Sequence, residues 1–306
     1  MLRLLLALLI SPAWALSRGA GVLVIGPGAF EVGLIAAKLA AKAQFKASLV
    51  VSGKDARQVE KCRTLMYGRE YGAAGVDEKS KAEMVQGPDA IAIALKAAQG
   101  IIICCDEKSG PPSAGFISAL FTKDNSPKLK TVALLSRPGK GGSAGFLTKS
   151  LAESDAAVAA AAKARNVKLA VVRCGTLKGG GPGAISRAKG TAGTSFTDFG
   201  LDAFYYSTLG DLSAATALMA HDQFALGASV VNGDPFVLPN VLNAAWTASD
   251  FKPRETDANR AVAAGALLGA LVREKDAEFS ISCEAATAAP TFEEWNKLFD
   301  AASRSA

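Results

Sequence analysis

The sequence has little of what most catalytic and metal-binding sites are built from. It contains one histidine, His221, and five cysteines, Cys62, Cys104, Cys105, Cys174 and Cys283, with no metal-ligand spacing among them. No metal site is expected. Five thiols leave one unpaired in any disulfide scheme, so reduced and mostly buried cysteines are the expectation. His221, in the context LMAHDQ, has the setting of a surface or capping residue rather than a base. Charged residues are only 20% of the chain, and the net charge of +6 is spread without a long basic block. That argues against a nucleic-acid groove and weakly for an anionic ligand. What remains is a composition that is 50% hydrophobic over 306 residues, enough to bury a sizeable core.

The chain is organised around Val22 to Lys42, VLVIGPGAFEVGLIAAKLAAK, where an apolar run meets Gly26, Gly28 and Gly33 and then a helical pattern. A strand, a turn without side chains and a helix N-terminus together let backbone N–H groups approach a pyrophosphate. The dinucleotide fingerprint wants glycine at position 31, where this chain has Glu31, and Pro27 removes one donor from the cradle. The residues after the second expected strand, Ala47 to Val51, are not acidic, and Lys54 and Arg57 follow closely. Basic residues there suit a ribose 2′-phosphate, so NADP(H) is favoured, with NAD(H) as the alternative.

Further strands are expected at Ile101 to Cys105, Lys130 to Leu135 and Val167 to Arg173, with helices at Asp89 to Ala98, Ala114 to Thr122 and Lys149 to Arg165; Gly75 to Asp77 is the expected end of the third strand. Strand and helix recur at intervals of roughly thirty residues, which predicts βαβ units and a doubly wound parallel sheet of about six or seven strands. Cys105 and Arg173 then lie at carboxyl ends of strands, facing the expected cofactor cleft. Cys104 and Cys105 are adjacent, so their side chains point to opposite faces and do not pair comfortably.

At the N-terminus, Arg3, the apolar run Leu4 to Ile10 and the small residues Ala13 and Ala15 have signal-peptide architecture, too short to span a bilayer. The expected division is therefore a presequence over 1–15, a dinucleotide-binding Rossmann-type domain over 16–245 and a C-terminal α/β extension over 246–306. Ser17 and Arg18, with no acid before Glu31, are compatible with a bipartite plastid (chloroplast) presequence, the alternatives being a bacterial envelope or an endomembrane lumen. In the extension, Ala258 to Val272 is helical, Phe279, Ile281 and Cys283 share one side of a strand, and Phe292, Trp295, Leu298 and Phe299 form one stripe of a last helix after the capping box Thr291 to Glu294. That stripe is either core or the best candidate for a partner surface.

Taken in order, VLVIGPGAFEVG, DAIAIALKAAQGIIICC, LKTVALLSRPG, the segment ending LAVVRCGTLKGGGPG and STLGDLSAATALMA resemble the atypical short-chain dehydrogenase/reductase proteins of the NmrA-like, NAD(P)-binding branch, over about Val22 to Asn232. The resemblance implies a serine at Ser136 that orients a carbonyl and a lysine at Lys149 that lowers the pKa of a tyrosine four residues before it. That place holds Gly145, and no Tyr-x-x-x-Lys occurs anywhere in the chain. Tyr205 or Tyr206 would have to supply a phenol from another element. Two readings follow. One is an NAD(P)H-dependent oxidoreductase assisted by Ser136 and Lys149. The other is a non-catalytic relative acting as an assembly factor or subunit of a photosynthetic or respiratory membrane complex, engaged through the C-terminal helix.

Overall fold

The computed structural model describes residues 16–26, 30–51, 82–104, 112–141, 145–175, 177, 226–238, 256–286 and 288–305. Its centre is a set of apolar strands with no polar face. β1 (Gly21–Ile25) buries Val22, Leu23, Val24 and Ile25 alike, and successive side chains divide between two cores: Val22 and Val24 on one face of the sheet, Leu23 and Ile25 on the other. β4 (Ala98–Ile103) and β5 (Thr131–Ser136) divide in the same way. A strand apolar on both faces is stable only when helices cover both, which is why such runs occur in parallel sheets.

Helices supply both covers. α1 (Phe30–Lys42) follows β1 and turns Val32, Leu34, Ile35, Ala36 and Ala40 into the first core. β2 (Lys46–Val50) and β3 (Glu83–Val85) extend the sheet outward, each parallel to its neighbour. β3, the third strand among the described residues, ends at Val85 and not at the expected Gly75 to Asp77, which precede it and lie outside the described residues. The second core receives α2 (Pro88–Ala97), α3 (Ala114–Leu120) and α4 (Gly145–Ala164) through Leu95, Ile117 and Leu120, and Val158 and Ala162. Between β5 and α4 lies the two-residue β6 (Lys140–Gly141), and α4 leads to β7 (Lys168–Cys174).

The remaining described elements are β8 (Gly227–Asn232), β9 (Val237–Leu238), α5 (Arg260–Val272), β10 (Ala277–Glu284) and α6 (Phe292–Arg304). The main sheet has eight strands in the order β3-β2-β1-β4-β5-β7-β10-β8. Every adjacent pair is parallel except β10–β8, which is antiparallel. This is a doubly wound, Rossmann-type α/β fold. Within the part expected as an extension packed on the domain, β10 enters the sheet, pairing with β7 from Ala277↔Ala170 to Ile281↔Cys174.

α5 is buried all round, from Ala261 to Val272 with Gly265 alone among these positions less than buried, and it joins α1 and α6 in the first core. A helix without a polar face has to be interior. Asn259 starts it by accepting the Ala261 N–H at 2.8 Å. The pair Gly265 and Gly269, one turn apart, forms the groove that seats α6: a Cβ at Gly265 would stand 2.8 Å from Trp295 Nε1, and one at Gly269 3.2 Å from Phe299 Cε2. Trp295 and Phe299 are accordingly 2% and 0% exposed, with the Phe279 ring of β10 tilted against Phe299, ring centres 4.6 Å apart. The expected capping box is present, Thr291 N–H donating to Glu294 and the Glu294 N–H to Thr291. The apolar stripe of α6 therefore belongs to the core, with Phe292 and Leu298 packed at its margin, and is not a surface open to a partner. Among the described residues no helix is long and apolar enough to cross a membrane.

Phe299→Ala is expected to lower the unfolding free energy by about 3–5 kcal/mol, the usual cost of emptying a large aromatic site. Ile93→Ala, at a side chain 70% exposed, should change it by no more than about 0.5 kcal/mol. Urea denaturation of the two variants checks both.

Candidate functional site

The strand order reverses direction about β1: the chain proceeds outward through β2 and β3, then crosses back to β4 on the other side. In sheets of this kind the crevice at the carboxyl ends of the two diverging strands is where ligands bind. Here those ends are Gly26 after β1 and Cys104 after β4. Cys104 N–H donates to Ile25 O at 3.0 Å, so the pairing of the two strands continues to their tips. Gly26 is exposed above that point, and a Cβ on it would come 1.9 Å from the Cys104 carbonyl oxygen. Only glycine fits there, and its bare backbone faces the crevice. Gly33, one turn into α1, differs: an added Cβ would make ordinary contacts with Val24 at 3.4 Å and Cys104 Sγ at 3.6 Å. Gly28, Lys54, Arg57 and Cys105 lie outside the described residues.

Cys104, Cys174 and Cys283 are buried. Burial pushes the Cys174 thiol up to about 12, with the charge of Arg137 opposing weakly, so it is held as an inert thiol. Burial also lowers the pKa of Arg137, at the end of β5. Among the described residues no three His, Cys, Asp or Glu side chains converge as a metal site.

Two strands from β1, Ser136 ends β5 in register with Arg173 of β7, which is in turn in register with Ser280 of β10. Equal register places the three on one face of the sheet. α4 crosses that face and presents Asp155, Val158 and Ala162 to it, at the i, i+3, i+7 spacing of a single stripe. Ser136 Oγ stands 2.6 Å from Asp155 Oδ2. An ionised carboxylate only accepts, so the serine donates its one proton there, and its lone pair accepts from Arg173 Nη1 at 3.2 Å. The same guanidinium nitrogen donates to Asp155 Oδ2 at 2.8 Å and to the Arg137 carbonyl at 2.7 Å, while Nε pairs with Glu278 of β10. Asp234, just beyond β8, has Oδ2 3.9 Å from Arg173 Nε and accepts the Gly139 N–H at 2.7 Å.

This cluster is largely closed to water: Ser136 is 3% exposed, and the Arg173 and Asp155 side chains are 13% exposed each. Burial alone would lower the pKa of Arg173, but Glu278 and Asp155 more than offset it, and the net shift is upward. For Asp155 burial is the largest influence and raises the carboxyl above its ordinary 3.8, against the pull of Ser136 and Arg173. Arg173, expected to face the cofactor cleft, thus has Nη1 and Nε of its guanidinium engaged by the protein's own acids, Ser136 and a carbonyl. Ser136 has its proton committed to Asp155. Lys149 lies in α4, which begins four residues earlier at Gly145, and its side chain lies outside the described residues, as do Tyr205, Tyr206 and His221. Asp155, Asp234 and Glu278 were not singled out from the sequence. For Asp155 a signal existed in its spacing to Val158 and Ala162, masked by the alanine-rich surroundings.

Replacing Arg173 by methionine leaves Asp155 and Glu278 facing each other without a cation, and a loss of about 3–5 kcal/mol in stability is expected by denaturation. The pH dependence has a definite sign. Because the folded pKa of Asp155 is raised, its contribution is fully present below the unfolded value and is lost as pH rises through the folded one. Asp155→Asn should remove that part of the slope when unfolding free energy is followed from about pH 3 to pH 6.

No family model matches the sequence, and no curated protein matches it. Solved structures similar to this chain include a short-chain dehydrogenase/reductase from Veillonella parvula, 11% identical, covering 89% of this chain and 99% of that one with a TM-score of 0.44. Gre2 from Candida albicans is 9% identical over 92% of this chain and 83% of its own, TM-score 0.48. A third, titled AtPrR2 with NADP+ and (+)pinoresinol, is 12% identical over 53% and 52% of the two chains, TM-score 0.39. The architecture of this chain is established by its own strand order and register, which are those of a doubly wound, Rossmann-type α/β fold.

Proposed function

We propose that this protein binds an NAD(P) dinucleotide across the crevice at the carboxyl ends of β1 and β4. The observation that carries the reading is Gly26: an exposed residue at the switch point of the sheet, where any side chain would overlap the Cys104 carbonyl. A bare backbone at this place is what close approach of a pyrophosphate requires. Gly26 and Gly28 would hold the diphosphate, and Lys54 and Arg57 would accept the 2′-phosphate of NADP(H), the preferred form.

Bound there, the cofactor would supply hydride chemistry. What this chain's residues contribute is narrower than in a reductase with a Tyr-x-x-x-Lys pair. Ser136 has no free proton to offer a substrate carbonyl, since Asp155 holds it. The reading best supported is accordingly dinucleotide binding in which Ser136 serves the ion cluster. Turnover as an oxidoreductase would depend on Lys149 and on groups delivered by other segments. The commitment of Ser136 favours the second reading, a cofactor-binding relative that does not turn over substrate. A role in assembling a membrane complex would then have to use a surface other than the stripe of α6, which is spent on the core.

Titrating NADPH and NADH into the protein lacking its first fifteen residues, by cofactor fluorescence, tests the reading. NADPH should bind roughly tenfold tighter than NADH, the scale of one charge-assisted contact, and Lys54→Ala with Arg57→Ala should remove the preference. Ser136→Ala should leave both affinities unchanged. Failure of either cofactor to bind at about 1 mM overturns the proposal.

A further inference from the structure

Among the described residues the chain is fixed in the core from Leu16 onward. Leu16 is 0% exposed and belongs to the first core. Its Cδ1 and the Cδ2 of Leu271 each lie 3.0 Å from where a Cβ on Gly100 would stand, so Leu16 packs over the backbone of β4 beside α5. The residues after it are tied by their backbones. Ala20 N–H donates to Ser17 O at 3.0 Å, Gly19 N–H to Gln44 O at 2.9 Å, and Lys46 N–H to Ala20 O at 3.0 Å. Gly19 takes the turn with φ +83°, and Ala20, 2% exposed, leads into β1.

The sequence just before this anchor has the features of a cleaved leader: Arg3, the apolar run Leu4 to Ile10, and small residues behind it. A peptidase that reads small residues two apart meets such pairs at Ser11 and Ala13, Ala13 and Ala15, Ala15 and Ser17, Ser17 and Gly19, and Gly19 and Gly21. The fold separates them. A cut after Ser17 removes Leu16 from the core and takes away the acceptor of the Ala20 N–H; a cut after Gly19 also removes the tie to Gln44, and one after Gly21 the first residue of β1. Cuts after Ala13 and Ala15 spare the anchor, and the second of these has alanine at both recognised positions. We propose that the Ala15–Leu16 bond is a processing site for a peptidase of the signal-peptidase type, and that the mature chain begins at the residue that plugs the first core. Water adds across that bond, leaving a carboxylate on Ala15 of the released leader and an α-ammonium group on Leu16. Because Leu16 is buried in the folded protein, the cut precedes packing of the N-terminal segment. The site is independent of the dinucleotide-binding reading.

The test is translation of the full chain in vitro with endoplasmic-reticulum microsomes and, separately, with bacterial inner-membrane vesicles, both of which carry signal peptidase, followed by mass spectrometry of the N-terminal peptide. A product beginning at Leu16 is expected in at least one, and Ala15→Leu should abolish it. A chain left uncut by both membranes, or cut at any other bond, overturns the proposal. The plug is tested on chains produced to begin at Leu16 and at Arg18, with Leu16→Ala in the longer one to isolate the side chain. Thermal unfolding should fall by on the order of 5 °C for Leu16→Ala and at least as far for the chain beginning at Arg18. Equal melting temperatures for all three overturn the role of Leu16.

Discussion

Two-sided burial of the central parallel strands is the constraint on which the rest of the structure depends. β1, β4, β5 and β7 alternate their side chains between two apolar cores, and neither face of such a sheet tolerates water. Each face must be roofed by helices along its whole width. α2, α3 and α4 roof one. On the other, among the described residues, α1 covers the part near β1, and elements of the last fifty residues cover the rest. α5 fills the gap beside α1, β10 carries the sheet past β7, and α6 closes the margin by setting Trp295 and Phe299 into the glycine groove of α5. The C-terminal segment is thus a requirement of the core.

Where the roof ends, polar chemistry takes over. On the face covered by α4, the rows of Val132, Leu134, Leu169 and Val171 give way at the strand ends to Ser136 and Arg173. A guanidinium placed there is costly unless its donors are met. Arg173 donates to Asp155 from a helix, Glu278 from a neighbouring strand and the carbonyl of Arg137, so that one side chain joins three elements distant in sequence. The same demand takes the Ser136 proton. A serine at the end of the fifth strand is where a reductase keeps one, but the hydroxyl's chemistry is decided by its neighbours, and here the nearest is a carboxylate.

The contrast between Gly26 and Gly33 shows how a motif and its physics separate. Both belong to the glycine pattern after β1. At Gly26 the neighbouring backbone leaves no room for a methyl group, whereas at Gly33 a methyl group would make ordinary contacts. Spacing alone assigns both to one fingerprint. The demand on the first comes from β4, a strand some seventy residues further along, and is invisible until the two strands are paired.

Much of the architecture was legible from the order of residues. Continuous apolar runs at β1, β4 and β5, the alanine-rich α4, the alternation of Phe279, Ile281 and Cys283, and the box Thr291 to Glu294 all signal local structure through period, propensity and capping, which act between near neighbours. Those signals also placed Ser136 and Arg173 at strand ends. What they could not carry is pairing across the sheet. That β10 would enter beside β7, that the stripe of α6 would be core, and that Arg173 would face Asp155 and Glu278 are long-range outcomes of closing two cores at once. The sequence by itself determined which segments become strand or helix and which faces are apolar, because those properties are local. The tertiary structure alone decided which polar groups meet, because a buried charge takes its partner from whichever element the packing of the apolar faces brings beside it.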